Sequence, residues 1–383
     1  MQFIAKTFQG LESALAGELR DLGATAVEEL TRAVSFEGGR EWVYRANLEL
    51  RTALRILIPI HSFTCTNEKE LYEGVRAIEW RNYLSPDDTL AVEAVVNSTF
   101  FNHSRYVALK TKDAIVDQLR DQFGQRPNVD LKSPTLPVQV HIRENQCSVL
   151  LDSSGEPLFK RGYRIETGPA PLNEVLAAGM LKLAGWPMDV PFLDPMCGSG
   201  TLPIEAALMA THTPSQWYRE HFAFQKWKDF DQALWKEVKN EAWANKEKEA
   251  APIFGSDIHP NAIRIAQVNA AHTDIQHLIR WEHAPLERCA VPEGKGLMVF
   301  NPPYNERMPV EEIEELYQMI GSSLKHRFPG YQAWVLTGNE KGMHAIGLRP
   351  SRRIALFNGA IPCKFLKFEL YDGSKKFKKE AVD

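Results

Sequence analysis

The sequence predicts an α/β protein in which a doubly wound, mostly parallel sheet fills the C-terminal half and a smaller α+β region precedes it. Three stretches carry that expectation. Val190-Pro191-Phe192-Leu193 and Pro252-Ile253-Phe254-Gly255-Ser256 are short runs that end in acids, Asp194 and Asp257, and a helical pattern follows each. Gly296-Leu297-Met298-Val299-Phe300 is a third run, closed by Asn301-Pro302-Pro303-Tyr304. Two consecutive prolines forbid the strand from continuing, so an amide, main-chain carbonyls and a ring are held stiffly at its carboxyl end. In open α/β sheets that end of the strands is where ligands bind.

The front half reads in order. Phe3-Ile4-Ala5 predicts a strand, and 10–23 a helix with Leu11, Leu15, Leu19 and Leu22 on one face. Val34-Ser35-Phe36 is a strand before Gly38-Gly39, and 41–51 a second helix; so short a unit must pack on a neighbour. From Leu54 the pattern restarts with a strand at 55–60, a helix at 69–78 and a strand at 89–96. A helix at 106–123 turns Ile115, Val116, Leu119 and Phe123 to a core, and strands at 137–142 and 147–151 close across Glu144-Asn145-Gln146. His103, Arg105, Lys110, Lys112, Arg120, Arg126 and Lys132 offer this module a cationic surface for phosphates. The bland alternative is a set of solvated surface charges. A linker with Gly162 and Gly168-Pro169-Ala170-Pro171 leads to a helix at 173–184, capped by Asn173.

In the second half, Asp194-Pro195-Met196-Cys197-Gly198-Ser199-Gly200-Thr201 joins a strand to a helix at 202–209 through a turn that lets a ligand approach the backbone. No lysine follows the glycines, which disfavours a phosphate-cradling loop. An acid at the strand end suits ammonium or hydroxyl groups instead. Asp257, before a helix at 261–271, sits where nucleoside-binding sheets hold ribose hydroxyls. Further strands are expected at 279–282 and 332–337, a helix at 313–326, and an antiparallel edge pair at 353–357 and 364–370. Between the first two strands lies an insertion with Trp217, Phe222, Phe224, Trp227, Phe230, Trp235 and Trp243, its charged tail at 240–249 reading as a solvated helix. Its rings either form an RNA-facing lid or pack the insertion against the domain, the commoner use of aromatics.

Composition bounds the rest. The net charge of −4 argues against a wholly basic nucleic-acid coat but permits a local basic face. Five scattered cysteines without C-x-x-C spacing suggest a reducing, cytoplasmic setting and no zinc site. No run of about 18 apolar residues exists to span a membrane, and the N-terminus has no apolar secretory core. Cys197 lies in the ligand turn and is expected to be a buried small thiol, not a nucleophile. Lys375-Lys376-Phe377-Lys378-Lys379 reads as an RNA contact or as a solubilising tail.

The front module resembles a THUMP domain, the RNA-binding module of several tRNA and rRNA modification enzymes. The resemblance rests on Leu71-Tyr72 with Val75-Arg76, KDAIVD (112–117), Gly124 with Arg126-Pro127, and Val129-Asp130. Leu151-Asp152-Ser153-Ser154-Gly155 and Lys160-Arg161-Gly162-Tyr163-Arg164 extend it. DPMCGSGT (194–201), Asp257 and NPPY (301–304) look like motifs I, II and IV of class I methyltransferases. With YRIETGPAPL (163–172), GSDIHPNAI (255–263), NPPYNERM (301–308) and NGAIPCKF (358–365), the full length resembles THUMP-bearing guanine-N2 RNA methyltransferases. Within them it is similar to the N-terminal half of bifunctional 23S rRNA enzymes, with no second methyltransferase domain expected after residue 383.

The resemblance implies a ferredoxin-like segment at 1–50, a THUMP domain at 51–155, a linker at 156–172 and a Rossmann-like class I methyltransferase domain at 173–383. The last would hold a mostly parallel seven-stranded sheet with an antiparallel final strand. The implied cofactor is S-adenosylmethionine, held by Asp194, Met196, Cys197, Gly198, Ser199, Gly200, Thr201, Asp257 and Ile258. The implied partner is RNA, 23S rRNA or tRNA, met by Arg105, Lys110, Lys112 and Arg126; no membrane or metal is implied, and a monomer is expected. Asn301, Pro302, Pro303 and Tyr304 are the expected catalytic set. An exocyclic purine amine is a poor nucleophile because its lone pair is delocalised into the ring. The Asn301 oxygen and the Pro302 carbonyl accept its N–H groups and free that pair, while Tyr304 stacks on a base turned out of its helix.

Two departures stand out: Asn305 replaces the usual glycine after NPPY, a position where Asn tolerates left-handed angles. Glu282-His283-Ala284 stands where relatives place an adenine-contacting acid. A tRNA guanine-N2 methyltransferase shares both domains and is the runner-up. Adenine-N6 DNA methylation shares NPPY, but the THUMP-like half points to RNA. A vestigial RNA-binding assembly factor is disfavoured by intact Asp194, Gly198, Gly200, Asp257 and Asn301.

Overall fold

The computed structural model describes residues 1–168, 171–304 and 310–371. Pro169 and Ala170 of the linker, Asn305 and Lys375-Lys376-Phe377-Lys378-Lys379 lie outside the described residues. In chain order the elements begin β1 (Gln2–Lys6), α1 (Glu12–Asp21), β2 (Thr25–Leu30), β3 (Ala33–Glu37), α2 (Trp42–Glu49), β4 (Arg55–Thr64) and α3 (Glu68–Arg76). They continue with β5 (Thr89–Asn97), α4 (Ser104–Phe123), β6 (Asn128–Val129), β7 (Leu136–Arg143), β8 (Gln146–Asp152), α5 (Glu174–Ala184), β9 (Phe192–Asp194) and α6 (Thr201–Ala210). Next come α7 (Gln232–Ala244), β10 (Ile253–Asp257), α8 (Pro260–Ala271), β11 (Ile279–His283) and β12 (Leu297–Phe300). The last are α9 (Val310–Arg327), β13 (Gln332–Thr337), α10 (Glu340–Ala345), β14 (Arg352–Asn358) and β15 (Ile361–Glu369).

These elements form two compact units. One comprises Met1–Phe8, Glu12–Gly162 and Pro214–Ala244; the other comprises Gln9–Leu11, Tyr163–Thr213 and the chain from Asn245 onward. The first is built on one sheet of order β2-β3-β1-β4-β8-β7-β5-β6. Its shared member is β4, which pairs Arg55, Ile56 and Leu57 with β1 along one edge and bonds β8 along the other. The two front segments thus share a sheet. Helices start where the chemistry allows: the Asn67 side-chain oxygen accepts the Lys69 and Glu70 amides (3.1 and 3.0 Å), and α3 then buries Leu71 and Val75. In α4, Ile115, Val116 and Leu119 face the core as expected, but Phe123 is 49% exposed. Residues 120–126 are all exposed, so the last turn of α4 has left the core before Gly124 caps it.

The aromatic insertion packs into this first unit. Phe222 and Phe224 stack with centroids 5.1 Å apart, Tyr44 lies 4.9 Å from Phe224, and Trp217 stacks on Trp243 at 4.0 Å. The stretch expected to be a solvated helix over 240–249 is instead the end of α7, which stops at Ala244 and buries Val238 and Ala242. Segment 151–155 is a buried lock. Asn47 Nδ2 donates to Ser153 Oγ (2.8 Å), Ser154 Oγ donates to Asn47 Oδ1 (2.6 Å), and Asp152 pairs with Arg55.

The second unit holds a seven-stranded sheet of order β11-β10-β9-β12-β13-β15-β14. β9 to β13 run parallel, and β15 is antiparallel to both of its neighbours. Every residue of α6 is buried, and its one charged member, Glu205, accepts from the Tyr163 hydroxyl (3.0 Å). On α9, Ile313, Tyr317, Ile320 and Leu324 recur at helical spacing and are buried against Met298, Phe300, Val335 and Leu366. Each such side chain contributes roughly 1.5–3 kcal/mol by leaving water. Asn173 caps α5 as expected, its side chain accepting the Val175 and Leu176 amides.

Candidate active site

Strands β9 and β12 lie side by side, but the chain leaves β9 toward β10 on one side and β12 toward β13 on the other. Such a reversal opens a crevice at the carboxyl ends. The register Leu193↔Met298 brings the turn after Asp194 and the Asn301 tetrapeptide to that same end.

The turn is held from two sides. Gly198 and Gly200 have φ of +52° and +82°, angles that side-chain-bearing residues resist. A Cβ on Gly200 would lie 2.8 Å from the Trp281 ring, whereas one on Gly198 would meet open space. Gly198 N–H donates to Asp257 Oδ2 (3.0 Å) and His259 N–H to Asp257 Oδ1 (2.9 Å), so this acid ties the glycine turn to the loop after β10. Met196 N–H donates to Asp194 Oδ1 (3.1 Å). Burial pushes the Asp194 carboxyl well above the usual carboxylate range; the Met196 bond opposes this and Asp257 adds to it. Cys197 is buried, and burial, then Asp194 and Asp257, hold its thiol far from ionising. That leaves it inert.

Ser199 and Thr201 turn their hydroxyls inward. Arg164 donates to Ser199 Oγ (2.9 Å) and to Thr201 Oγ1 (2.8 Å). Ile258, beside Asp257, is 59% exposed, and its carbonyl accepts from His283 Nε2 (3.0 Å). Glu282 accepts the Ala290 amide (2.7 Å), so the acid near the third strand is spent on its own loop. Two carboxylates, an exposed apolar side chain and an open glycine turn suit a ligand with a cationic end, hydroxyls and a flat ring. Among the described residues, no group of three His, Cys, Asp or Glu is placed to hold a metal ion.

Across the crevice, Asn301 Oδ1 is buried and has no hydrogen-bond partner among the described residues. A lone buried acceptor is costly, which marks a place for a donor. Pro302 is buried and Pro303 exposed. Tyr304 is fastened: its hydroxyl accepts from Asn358 Nδ2 (2.6 Å), and its Cδ2 would lie 3.2 Å from a Cβ on Gly338. Burial raises the Tyr304 phenol well above its ordinary value, so it stays neutral.

Comparison with known proteins decides what this crevice belongs to. The family described as "RMKL-like, methyltransferase domain" matches residues 161–367, more than half of the chain. The chain belongs to the RMKL-like methyltransferase family. A THUMP domain matches residues 65–152 and an RlmL ferredoxin-like domain matches residues 2–57. A Synechocystis protein, slr0064, provisionally named an RNA methyltransferase, is 39% identical over 96% of this chain and 97% of its own. A ribosomal RNA large subunit methyltransferase K/L of Syntrophotalea carbinolica is 40% identical over 97% of this chain, which spans only 54% of that relative. The crystal structure of SMU.472, provisionally described as a methyltransferase and complexed with SAH, superposes with a TM-score of 0.87 at 28% identity, covering 97% and 99% of the two chains. The fold is therefore the class I methyltransferase fold preceded by ferredoxin-like and THUMP domains, and the cofactor of the family is S-adenosylmethionine. The donor set of the crevice fits that cofactor.

The sequence placed Asp194, the 196–201 turn, Asp257 and Ile258 together, and all line the same end of this RMKL-like sheet. It gave no role to Arg164, Asn269 or Asn358. Arg164 and Asn358 stand inside YRIETGPAPL and NGAIPCKF, stretches that carried resemblance without a stated role. The cationic residues lie along or just beyond α4. Arg105 and Arg126 are exposed, Lys110 Nζ sits 5.2 Å over the Tyr72 ring, and Lys112 pairs with Asp113 (2.5 Å).

Proposed function

We propose that this protein transfers the methyl group of S-adenosylmethionine to the exocyclic N2 amine of a guanine in 23S rRNA, with the base flipped into the pocket of Asn301-Pro302-Pro303-Tyr304. The carrying observation is Asn301 Oδ1, a buried acceptor without a partner among the described residues, just past the carboxyl end of β12. An amine has the donor it lacks. The THUMP domain and the relatives named ribosomal RNA large subunit methyltransferase K/L support rRNA as the substrate class. The chain spans about half the length of those K/L relatives.

When bound, the cofactor supplies an electrophilic methyl on a sulfonium. Asp194 and Asp257 would pair with its cationic end and its hydroxyls, Gly198 would leave room beside the backbone, and Ile258 would cover its ring. Asn301 Oδ1 accepts one amine N–H and the Pro302 carbonyl the other. This would draw the nitrogen lone pair out of conjugation and orient it toward the donor; as the carbon–nitrogen bond forms, the methyl–sulfur bond would break with its electron pair on sulfur, and the amine proton would pass to water. Tyr304 presents its ring to the base, its plane set by Asn358 at one end and Gly338 at the other.

Nucleoside mass spectrometry of rRNA and tRNA from a deletion strain tests the assignment: N2-methylguanosine is expected to fall in 23S rRNA alone. Loss from tRNA would move the substrate, and no loss in either would remove the activity. Two variants follow from the geometry. Asn358→Ala frees the Tyr304 ring and is expected to lower kcat/KM for RNA about tenfold, the worth of one such hydrogen bond, with cofactor affinity unchanged by calorimetry. The double variant Arg105→Ala with Arg126→Ala is expected to reduce the slope of log affinity against log salt by about 2 in filter binding. An unchanged slope would place the RNA elsewhere.

A further inference from the structure

Arg164 is a half-buried cation held by four hydrogen bonds. Its Nε donates to Glu174 Oε1 (2.6 Å), Nη1 to Ser199 Oγ (2.9 Å), and Nη2 to Thr201 Oγ1 (2.8 Å) and to the Leu172 carbonyl (3.1 Å). A planar fork of fixed donors makes this span possible; an ammonium reaches fewer points. The segment it stands in is tied down a second time. Asn269 is fully buried, and its Oδ1 accepts the amides of Ile165 and Glu166 (2.9 and 3.0 Å). Its Nδ2 donates to the Glu166 carbonyl (3.0 Å) and to the Ser199 carbonyl (3.1 Å). At the rim, Glu166 pairs with Arg264 through two bonds of 3.1 and 2.6 Å.

Both ties end on the same place. Residues 199–201 are the half of the cofactor turn that Asp257 does not reach, since Asp257 holds the turn at Gly198. The turn has two glycines at positive φ; one backbone bond closes it, Gly200 N–H to the Cys197 carbonyl (2.8 Å), and the Cys197 amide ties it to the Ser256 carbonyl (2.9 Å). The side chains of Ser199 and Thr201 are fixed from outside it.

We propose that the strap 164–166 is the positioning element of the cofactor turn, with Arg164 as its positioning residue and Asn269 as the rivet. Arg164 touches no reacting atom. It acts through Ser199 and Thr201, holding the turn in the shape that accepts S-adenosylmethionine, and removing it makes cofactor binding carry the cost of ordering the turn. The guanidinium also has a stability role through Glu174, whose carboxyl burial raises and Arg164 lowers. The test must separate the two.

Arg164→Lys keeps a cation beside Glu174 but cannot bond both hydroxyls. It is expected to weaken binding of S-adenosylmethionine by about tenfold in calorimetry of the full chain, one to two charged hydrogen bonds' worth, and to raise KM for the cofactor with kcat within about twofold. Hydrogen exchange at the amides of residues 196–200 is expected to quicken in the unliganded variant. Ser199→Ala gives an independent arm. In a double-mutant cycle its effect on affinity is expected to shrink in the Arg164→Lys background, because both act on one contact. Arg349→Ala, an exposed cation that touches neither the strap nor the turn, serves as the control and should leave affinity unchanged. A lysine variant with wild-type affinity, KM and exchange at 196–200, or strictly additive effects with Ser199→Ala, would reduce Arg164 to a packing residue. Should Arg164→Lys not fold, wild-type affinity in Ser199→Ala would overturn the proposal by itself.

Discussion

Asn301→Ala is expected to bind S-adenosylmethionine as the wild type does and to lose methyl transfer by about 10²- to 10³-fold in kcat, the cost of deleting one polar contact aimed at a reacting group. The reasoning is local. Asn301 Oδ1 is buried and unpartnered among the described residues, while Asp194, Gly198 and Asp257 hold the other side of the crevice by separate bonds. The side chain therefore separates binding from chemistry. The alanine variant also removes a costly buried acceptor, so its melting temperature is expected to stay level or rise slightly. Single-turnover methylation and calorimetry on the same preparation check both halves. Normal turnover would show that the amine is held elsewhere.

Asp194→Asn is expected to act on the other ligand. Burial, opposed by the Met196 amide and aided by Asp257, raises the Asp194 carboxyl well above its ordinary 3.8. An acid whose folded pKa is raised contributes its stability in full below the ordinary value, and that contribution is lost as pH rises through the raised one. The unliganded protein should therefore lose stability upward from about pH 4, and a cation placed beside the carboxylate should restore it. The thermal shift produced by S-adenosylmethionine is expected to grow with pH in the wild type. In Asp194→Asn it should be small and nearly flat, with affinity about 30-fold weaker, equivalent to about 2 kcal/mol for loss of one partner of a buried charge contact. Differential scanning fluorimetry from about pH 5 to 9 reads both curves. A pH-dependent shift that survives in the asparagine variant would move the proton linkage to another group.

The strands that build the crevice were plain in the sequence because each buried parallel strand is a short apolar run ended by its ligand-facing residue. Runs at 297–300 and 332–337 became β12 and β13 with those bounds. Asn173, read as a cap from its residue type alone, caps α5. By contrast, β2 escaped notice. Thr25–Leu30 carries Glu28 and Glu29 and is exposed along most of its length, so an edge strand of this kind leaves no apolar rhythm. Phe123 had the right spacing and the wrong surroundings, since a helical face says nothing about how far the core extends beneath it.

What the sequence determined by itself was the local chemistry: acids at two strand ends, a glycine turn, a proline-locked amide, and the order in which they come. Short-range patterns suffice for that, because strand ends and turns are set by residues next to one another. Only the tertiary structure decided the partners. It packed the aromatic insertion into the first unit, joined the two front segments through β4, left Asn301 Oδ1 without a donor among the described residues, and brought Arg164 and Asn269 onto a turn 35 and 70 residues away. Hydrogen bonds between distant segments have no periodicity in the chain. They exist only once the sheet has been laid down and the ends of its strands have met.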